Sequence, residues 1–171
     1  QDFRAQLAQN AFGYRFECRF FSSAVQGDRQ ETEMRAALAS VAKQAGRFDC
    51  AVILRGGGAR LDLAGFDSLE LCRQAAELPV PLITGIGHEI DETVLDRVAH
   101  SALKTPTAVA EFLVRHNLFF ENEILRLGGQ IRDLARFKLG AQHSGLDRLE
   151  TAAAWSLRSR LRLAGQQLDA A

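Results

Sequence analysis

Proline is scarce in this sequence, three among 171 residues, and the last is Pro106. Beyond it no residue locks φ or removes a backbone donor, so 106–171 reads as one or two long helices. Cysteine is as rare: Cys18, Cys50 and Cys72 are odd in number and far apart, and no C-x-x-C occurs. That excludes a disulfide framework and a thiolate zinc site, and points to reduced thiols in a cytoplasmic protein. There is no excess of charge, since 21 Lys and Arg balance 21 Asp and Glu. Composition therefore advertises no basic field for nucleic acid, although a local patch is not excluded. No apolar run approaches membrane-spanning length and no leader peptide is visible, so no membrane partner is expected. The phosphate-binding pattern G-x-x-x-x-G-K-[ST] is missing, as is G-x-G-x-x-G ahead of a helix. Neither nucleoside triphosphate nor dinucleotide binding has its usual sign.

What is present is ordinary for a globular protein, 47% hydrophobic and 25% charged residues. The organising stretch is 49–91. It holds two short apolar runs, 51–54 and 81–84, with a helix-like segment over 67–77 between them. The first run ends in Arg55, Gly56, Gly57 and Gly58, the second in Gly85, Ile86, Gly87, His88 and Glu89. Short apolar strands alternating with helices predict an α/β fold with a parallel sheet and flanking helices, three-layered and doubly wound. In such a sheet both glycine-rich loops leave the carboxyl edge, where ligands bind. Upstream, 1–10 predicts a helix with Phe3 and Leu7 on one stripe, 15–21 a strand, and 28–45 a helix carrying Met34, Leu38 and Val41. The loop 22–27 would open on the same rim. Since Gln1 already stands in helix-like sequence, a preceding strand is expected outside this chain. Asp67 with Glu70 is expected to cap the helix over 67–77, and 90–98 predicts a short helix. Thr105 is expected to cap the next helix, with Pro106 at its first position.

Past Pro106, Phe120, Ile124, Leu127, Ile131 and Leu134 recur every three or four residues, and Leu157 and Leu161 resume the pattern. Gly128 and Gly129 are poor helix formers, and Lys138, Gly140, His143 and Gly145 break the register. The expected division is an α/β catalytic domain over 1–105 and a helical, coiled-coil extension over 106–171 that seeks a partner. The plainer reading makes these helices a cover for the domain.

Several residues on the rim suit chemistry at phosphate. Three glycines after a strand let backbone N–H groups approach an anion, and Arg55 adds a fixed cation with a bidentate fork. The plainer reading is a turn with a surface arginine. His88 stands at a loop-to-helix junction, whose positive end favours an anion and keeps an imidazole neutral and available as a base. Glu89 and Asp91 are near enough to orient it; the plainer reading is a histidine capping its own helix. Asp2 would open the first helix at the rim, and Gln26 with Gly27 could present an amide or simply form a turn. Arg55, His88, Asp91 and Asp2 form the candidate catalytic set, and Gly56, Gly57, Gly58, Gln26, Gly87 and Thr105 the candidate phosphate-binding set. H-E-x-D lacks the second histidine of a zinc protease, and His100, His116 and His143 complete no ligand set by spacing. No metal is assigned.

One ordered series brings these pieces together: A-V-Q-G-D at 24–28, Asp49, Arg55 with its three glycines, Asp62-Leu63, Phe66-Asp67, Pro81, G-I-G-H-E-I-D at 85–91, Val98-Ala99 and T-P-T-A-V-A-E at 105–111. Over roughly the first 115 residues it resembles the large subunit of bacterial exonuclease VII. The resemblance implies hydrolysis of single-stranded DNA from both ends to 5′-phosphorylated oligonucleotides and smaller products. It implies that Asp2, Arg55, His88 and Asp91 stand where the family keeps its catalytic set, and that no cofactor is required, with magnesium left open. It also implies two partners, single-stranded DNA and a small helical subunit carried on the extension, and assembly through the C-terminal helices. Two other readings remain open from the residues themselves: a scaffold that binds phosphate or nucleic acid without catalysis, and a metal-dependent phosphoesterase using Asp2, Glu89 and Asp91.

Overall fold

The computed structural model of the chain describes residues 2–24, 27, 29–55, 63–86 and 92–169. It divides into two compact units, Gln1–Phe119 and Phe120–Ala171.

The first unit is built on a small parallel sheet. Strands β1 (Ala51–Leu54), β2 (Leu82–Gly85) and β3 (Ser101–Ala102) lie in that spatial order. Ala51 pairs with Leu82 and Leu54 with Gly85; Ile83 pairs with Ser101. All four residues of β2 are buried, while β1 is half-buried throughout. The two apolar runs are therefore strands, and they run the same way. Strand β3 escaped the sequence pattern because two residues are too few for an alternation to show.

Helix α1 (Asp2–Ala8) buries Leu7 against Ala110 and Val114, with Phe3, Tyr14 and Phe16 around them. The chain turns away from α1 on Asn10. Its amide donates to the carbonyls of Leu7 and Tyr14 at 2.7 and 2.8 Å, and its Oδ1 accepts from the Tyr14 N–H at 3.0 Å. Helix α2 (Gln30–Ala42) buries Met34, Leu38 and Val41, one helical face as the spacing predicts.

The strand expected over 15–21 is not one. Among the described residues this segment joins no ladder. Its period-2 pattern is real, but a strand needs a neighbour to take its backbone donors and acceptors. Side chains hold it instead. The Arg19 guanidinium donates to Gln44 Oε1 at 2.7 Å, and the rings of Phe21 and Phe48 meet edge-on at 6.0 Å.

Helix α3 (Leu69–Ala76) is capped by Ser68, whose hydroxyl oxygen accepts from the Leu71 N–H at 3.5 Å. The cap expected of Asp67 is thus one residue off, and Asp67 serves elsewhere. Helix α4 (Val94–Val98) completes the core. Met34, Leu38, Phe66, Leu71, Cys72, Ala75, Leu82, Ile86 and Leu95 form one cluster joining α2, α3, α4 and the sheet.

Helix α5 runs Pro106–Asp169 without a break. Its first turns bury Val109, Ala110 and Val114 in the first unit. Of the one or two long helices expected, the structure has one, continuous through Gly128, Gly129, Gly140 and Gly145. An exposed glycine costs a helix about 1 kcal/mol relative to alanine, which lowers stability without ending propagation. Among the described residues, no helix is long and apolar enough to cross a membrane.

Candidate functional site

Parallel pairing decides where the loops go. Leu54 and Gly85 are register partners, so the chain leaves β1 and β2 at the same carboxyl edge. The Arg55 N–H donates to the Gly85 carbonyl at 3.2 Å, which extends the ladder one residue and fixes the start of the Arg55 loop beside the start of the His88 loop. Arg55 itself is half-buried at this edge.

The far ends of the two loops are joined as well. After the first loop, Leu63 packs on the core and Phe66 is 1% exposed. Asp67 Oδ1 then accepts the Val94 N–H at 2.7 Å, tying the end of the first loop to the first residue of α4, just past the second. The second loop is pinned from within. Asp96 is 7% exposed, yet its carboxylate has its acceptors filled. The Thr84 hydroxyl donates to Oδ1 at 2.6 Å; the Thr93 N–H and hydroxyl donate to Oδ2 at 3.1 and 2.8 Å. Thr93 in return accepts the Asp96 N–H at 3.1 Å, a reciprocal capping box. So β2, which launches the loop, and α4, which receives it, share one buried polar network. A satisfied buried carboxylate rigidifies, because losing any donor there is costly. Sequence reasoning missed Asp96, Thr84 and Thr93. The signal was available: T-V-L-D at 93–96 has the spacing of a capping box.

Thr105 comes to the same edge. Leu103 N–H donates to the Thr84 carbonyl at 2.9 Å, which continues β3 to the rim. As expected, Thr105 caps α5, accepting the Ala108 N–H on Oγ1 at 3.1 Å. Gly85 allows this approach. A Cβ on it would stand 2.7 Å from Val109 Cγ2 and 3.3 Å from the Thr105 carbonyl oxygen. Arg55, Gly85, Thr105 and the start of α5 therefore converge on one edge, and the N–H groups of a helix start favour an anion there.

Asp2 lies exposed in the first turn of α1. Among the described residues no hydrogen bond or ion pair joins it to Arg55 or Thr105. Gln26, Gly56, Gly57, Gly58, Gly87, His88 and Asp91 lie outside the described residues, though Gly27, beside Gln26, has a φ of 82° that suits only glycine. Among the described residues no three His, Cys, Asp or Glu side chains gather as a metal-ligand set. Of the acids considered for a cation, Asp2, Glu89 and Asp91, only Asp2 is described. A cysteine nucleophile has no support near β1. Burial, then Asp49 and Cys18, push the Cys50 thiol up, so it stays protonated.

Fold and edge together define a class: a parallel α/β unit with two glycine-rich loops rooted side by side at its carboxyl edge, continued by a long helix. Comparison with known proteins makes this specific. The family of the exonuclease VII large subunit matches residues 1–171, and the chain belongs to it. Among similar proteins is the exodeoxyribonuclease 7 large subunit of Lactobacillus johnsonii, 32% identical over 136 residues, covering 80% of this chain and 30% of that protein. The protein of the same description from Parasynechococcus marenigrum is 39% identical over 131 residues, covering 75% and 34%. That from Deinococcus radiodurans is 31% identical over 172 residues, covering 99% and 40%. The chain thus spans 30% to 40% of the length of these relatives.

Proposed function

We propose that this chain carries the hydrolytic centre of a single-stranded-DNA exonuclease large subunit. In this reading 1–105 is the catalytic domain, a doubly wound three-layer α/β fold, and 106–171 is the extension for assembly and for a small helical subunit. The fold reading is supported by Leu82 and Thr84 facing α3 and α4 while the alternate residue Gly85 faces Val109 of α5. The site reading is carried by one observation. The Arg55 and His88 loops are stitched together at both ends, Arg55 to Gly85 and Asp67 to Val94.

On that rim, a phosphodiester meets Arg55, the N–H groups of Gly56, Gly57, Gly58 and Gly87, and donors from Gln26 and Thr105. These neutralise charge that grows on the phosphoryl oxygens. Water attacks phosphorus, the bond to O3′ breaks, and a 5′-phosphate remains. His88 takes the proton from water or delivers one to O3′, with Asp91 fixing its tautomer and Asp2 completing the acid set. None of these steps calls on a metal, and the protein is expected in the cytoplasm. Arg55→Ala in the complete large subunit with its small subunit tests this. Arg55 touches phosphate in ground and transition states, so filter binding and cleavage of single-stranded DNA should both fall, cleavage by about 10²-fold or more. The assay is run with and without EDTA. Wild-type cleavage lost entirely in EDTA would point instead to Asp2, Glu89 and Asp91 as metal ligands.

A further inference from the structure

The leucine seam is not the whole surface of the second unit. Arg148, Trp155 and Arg162 recur at i, i+7 and i+14, and Arg158 stands three residues after Trp155. At 3.6 residues per turn these four share one face, and Leu146, Leu149 and Leu157 are turned away from it. All four are exposed, Trp155 by 72%. A shallow groove beside the indole is lined by Asp147, Arg148, Thr151 and Ala152.

Charge here departs from the rest of the chain. Between Arg148 and Gln166 there are four arginines, at 148, 158, 160 and 162, and one carboxylate, Glu150. The chain as a whole is neutral. Among the described residues no ion pair engages Arg148, Arg158 or Arg162, and Asp147 is the acid nearest the face, at its margin. An exposed indole between unpaired guanidinium groups suits a polyanion that also offers flat apolar rings. Single-stranded nucleic acid is such a ligand: its phosphates meet arginines and an unpaired base stacks on the aromatic ring. A duplex hides its base faces from the indole.

We propose that this Arg–Trp face of α5 is a second contact for single-stranded DNA, built from residues other than those of the rim, which holds the strand. It rests on single-stranded DNA being the substrate, but on nothing about the rim's chemistry.

Trp155 is the only tryptophan, so its fluorescence reports this face alone. The 171-residue chain is titrated with oligothymidylate of about 16 nucleotides at low salt. The expected result is quenching that reverses as salt is raised. Trp155→Ala should weaken binding by about tenfold, read by anisotropy of a labelled strand, and Trp155→Phe far less. The triple change of Arg148, Arg158 and Arg162 to Gln, which keeps helix propensity, should lower the slope of log affinity against log salt by about 2. Circular dichroism confirms that helix content is unchanged. Strand binding with unaltered Trp155 emission overturns the proposal and leaves the rim reading standing. So does quenching by duplex DNA or anionic vesicles as strong as that by oligothymidylate. Conversely, quenching that survives in Arg55→Ala, while cleavage is lost, separates the two sites.

Discussion

Residues 1–119 and 120–171 contain similar apolar side chains and treat them in opposite ways. In the first, Leu71 and Leu95 are 0% exposed; in the second, Leu149 is 69% and Phe137 75% exposed. No buried hydrophobic residue lies beyond Val114 among the described residues. The first unit folds because strand, loop and helix return on one another and cover the same core. The second is one helix, which has only its own backbone hydrogen bonds and near-neighbour pairs. Hydrophobic burial is the dominant favourable term in folding, so the two units should answer the same substitution differently.

The largest contrast is leucine truncation. Leu95→Ala should destabilise the first unit by about 2–5 kcal/mol, through lost burial and the cavity left at α4. Leu149→Ala should change the isolated chain by about 0.5 kcal/mol or less. Native-state hydrogen exchange at Leu82–Gly85 reads the first, and helix content of α5 the second. Equal effects would mean that the seam is already covered. Next, Asp96→Ala strands the donors of Thr84 and Thr93. It should cost the first unit about 1.5–3 kcal/mol and speed exchange at Val94, while α5 is unchanged. Smallest is Glu123, where Arg126 donates at 2.8 to 3.2 Å and holds the carboxyl below its ordinary pKa. A depressed folded pKa stabilises helix above the unfolded value, and that help is lost as pH falls through the folded one. Carbon-detected titration should find Glu123 below the usual glutamate range, restored by Arg126→Gln.

The same comparison explains what the sequence could reveal. Helices α1 and α2 were legible from apolar side chains at helical spacing, strands β1 and β2 from short apolar runs ending in glycine, and their parallel sense from the helix-like segment α3 between them. The Thr105 cap was legible because Pro106 follows it. Residues 15–21 show a strand's alternation but no ladder, because pattern describes one chain segment and pairing needs two. Whether 106–171 holds one helix or two was not legible, because the glycines lower local propensity without deciding whether the helix propagates. At the site, Arg55 was placed correctly at the carboxyl edge by strand polarity alone. The clasp of Asp67 on Val94 spans distant sequence, and no local spacing announces it. Asp96 drew no reading of its own within the short helix expected over 90–98; only the fold brings Thr84 beneath it.

In the proposed function the rim of the first unit, and not the exposed helix, does the chemistry. The direct test is His88→Ala in the complete large subunit with its small subunit, assayed for cleavage and for binding of single-stranded DNA. The expected result is a loss of cleavage by about 10²–10⁴, with binding near wild type because phosphate contacts carry most of the affinity. Cleavage at the wild-type rate by His88→Ala would contradict it.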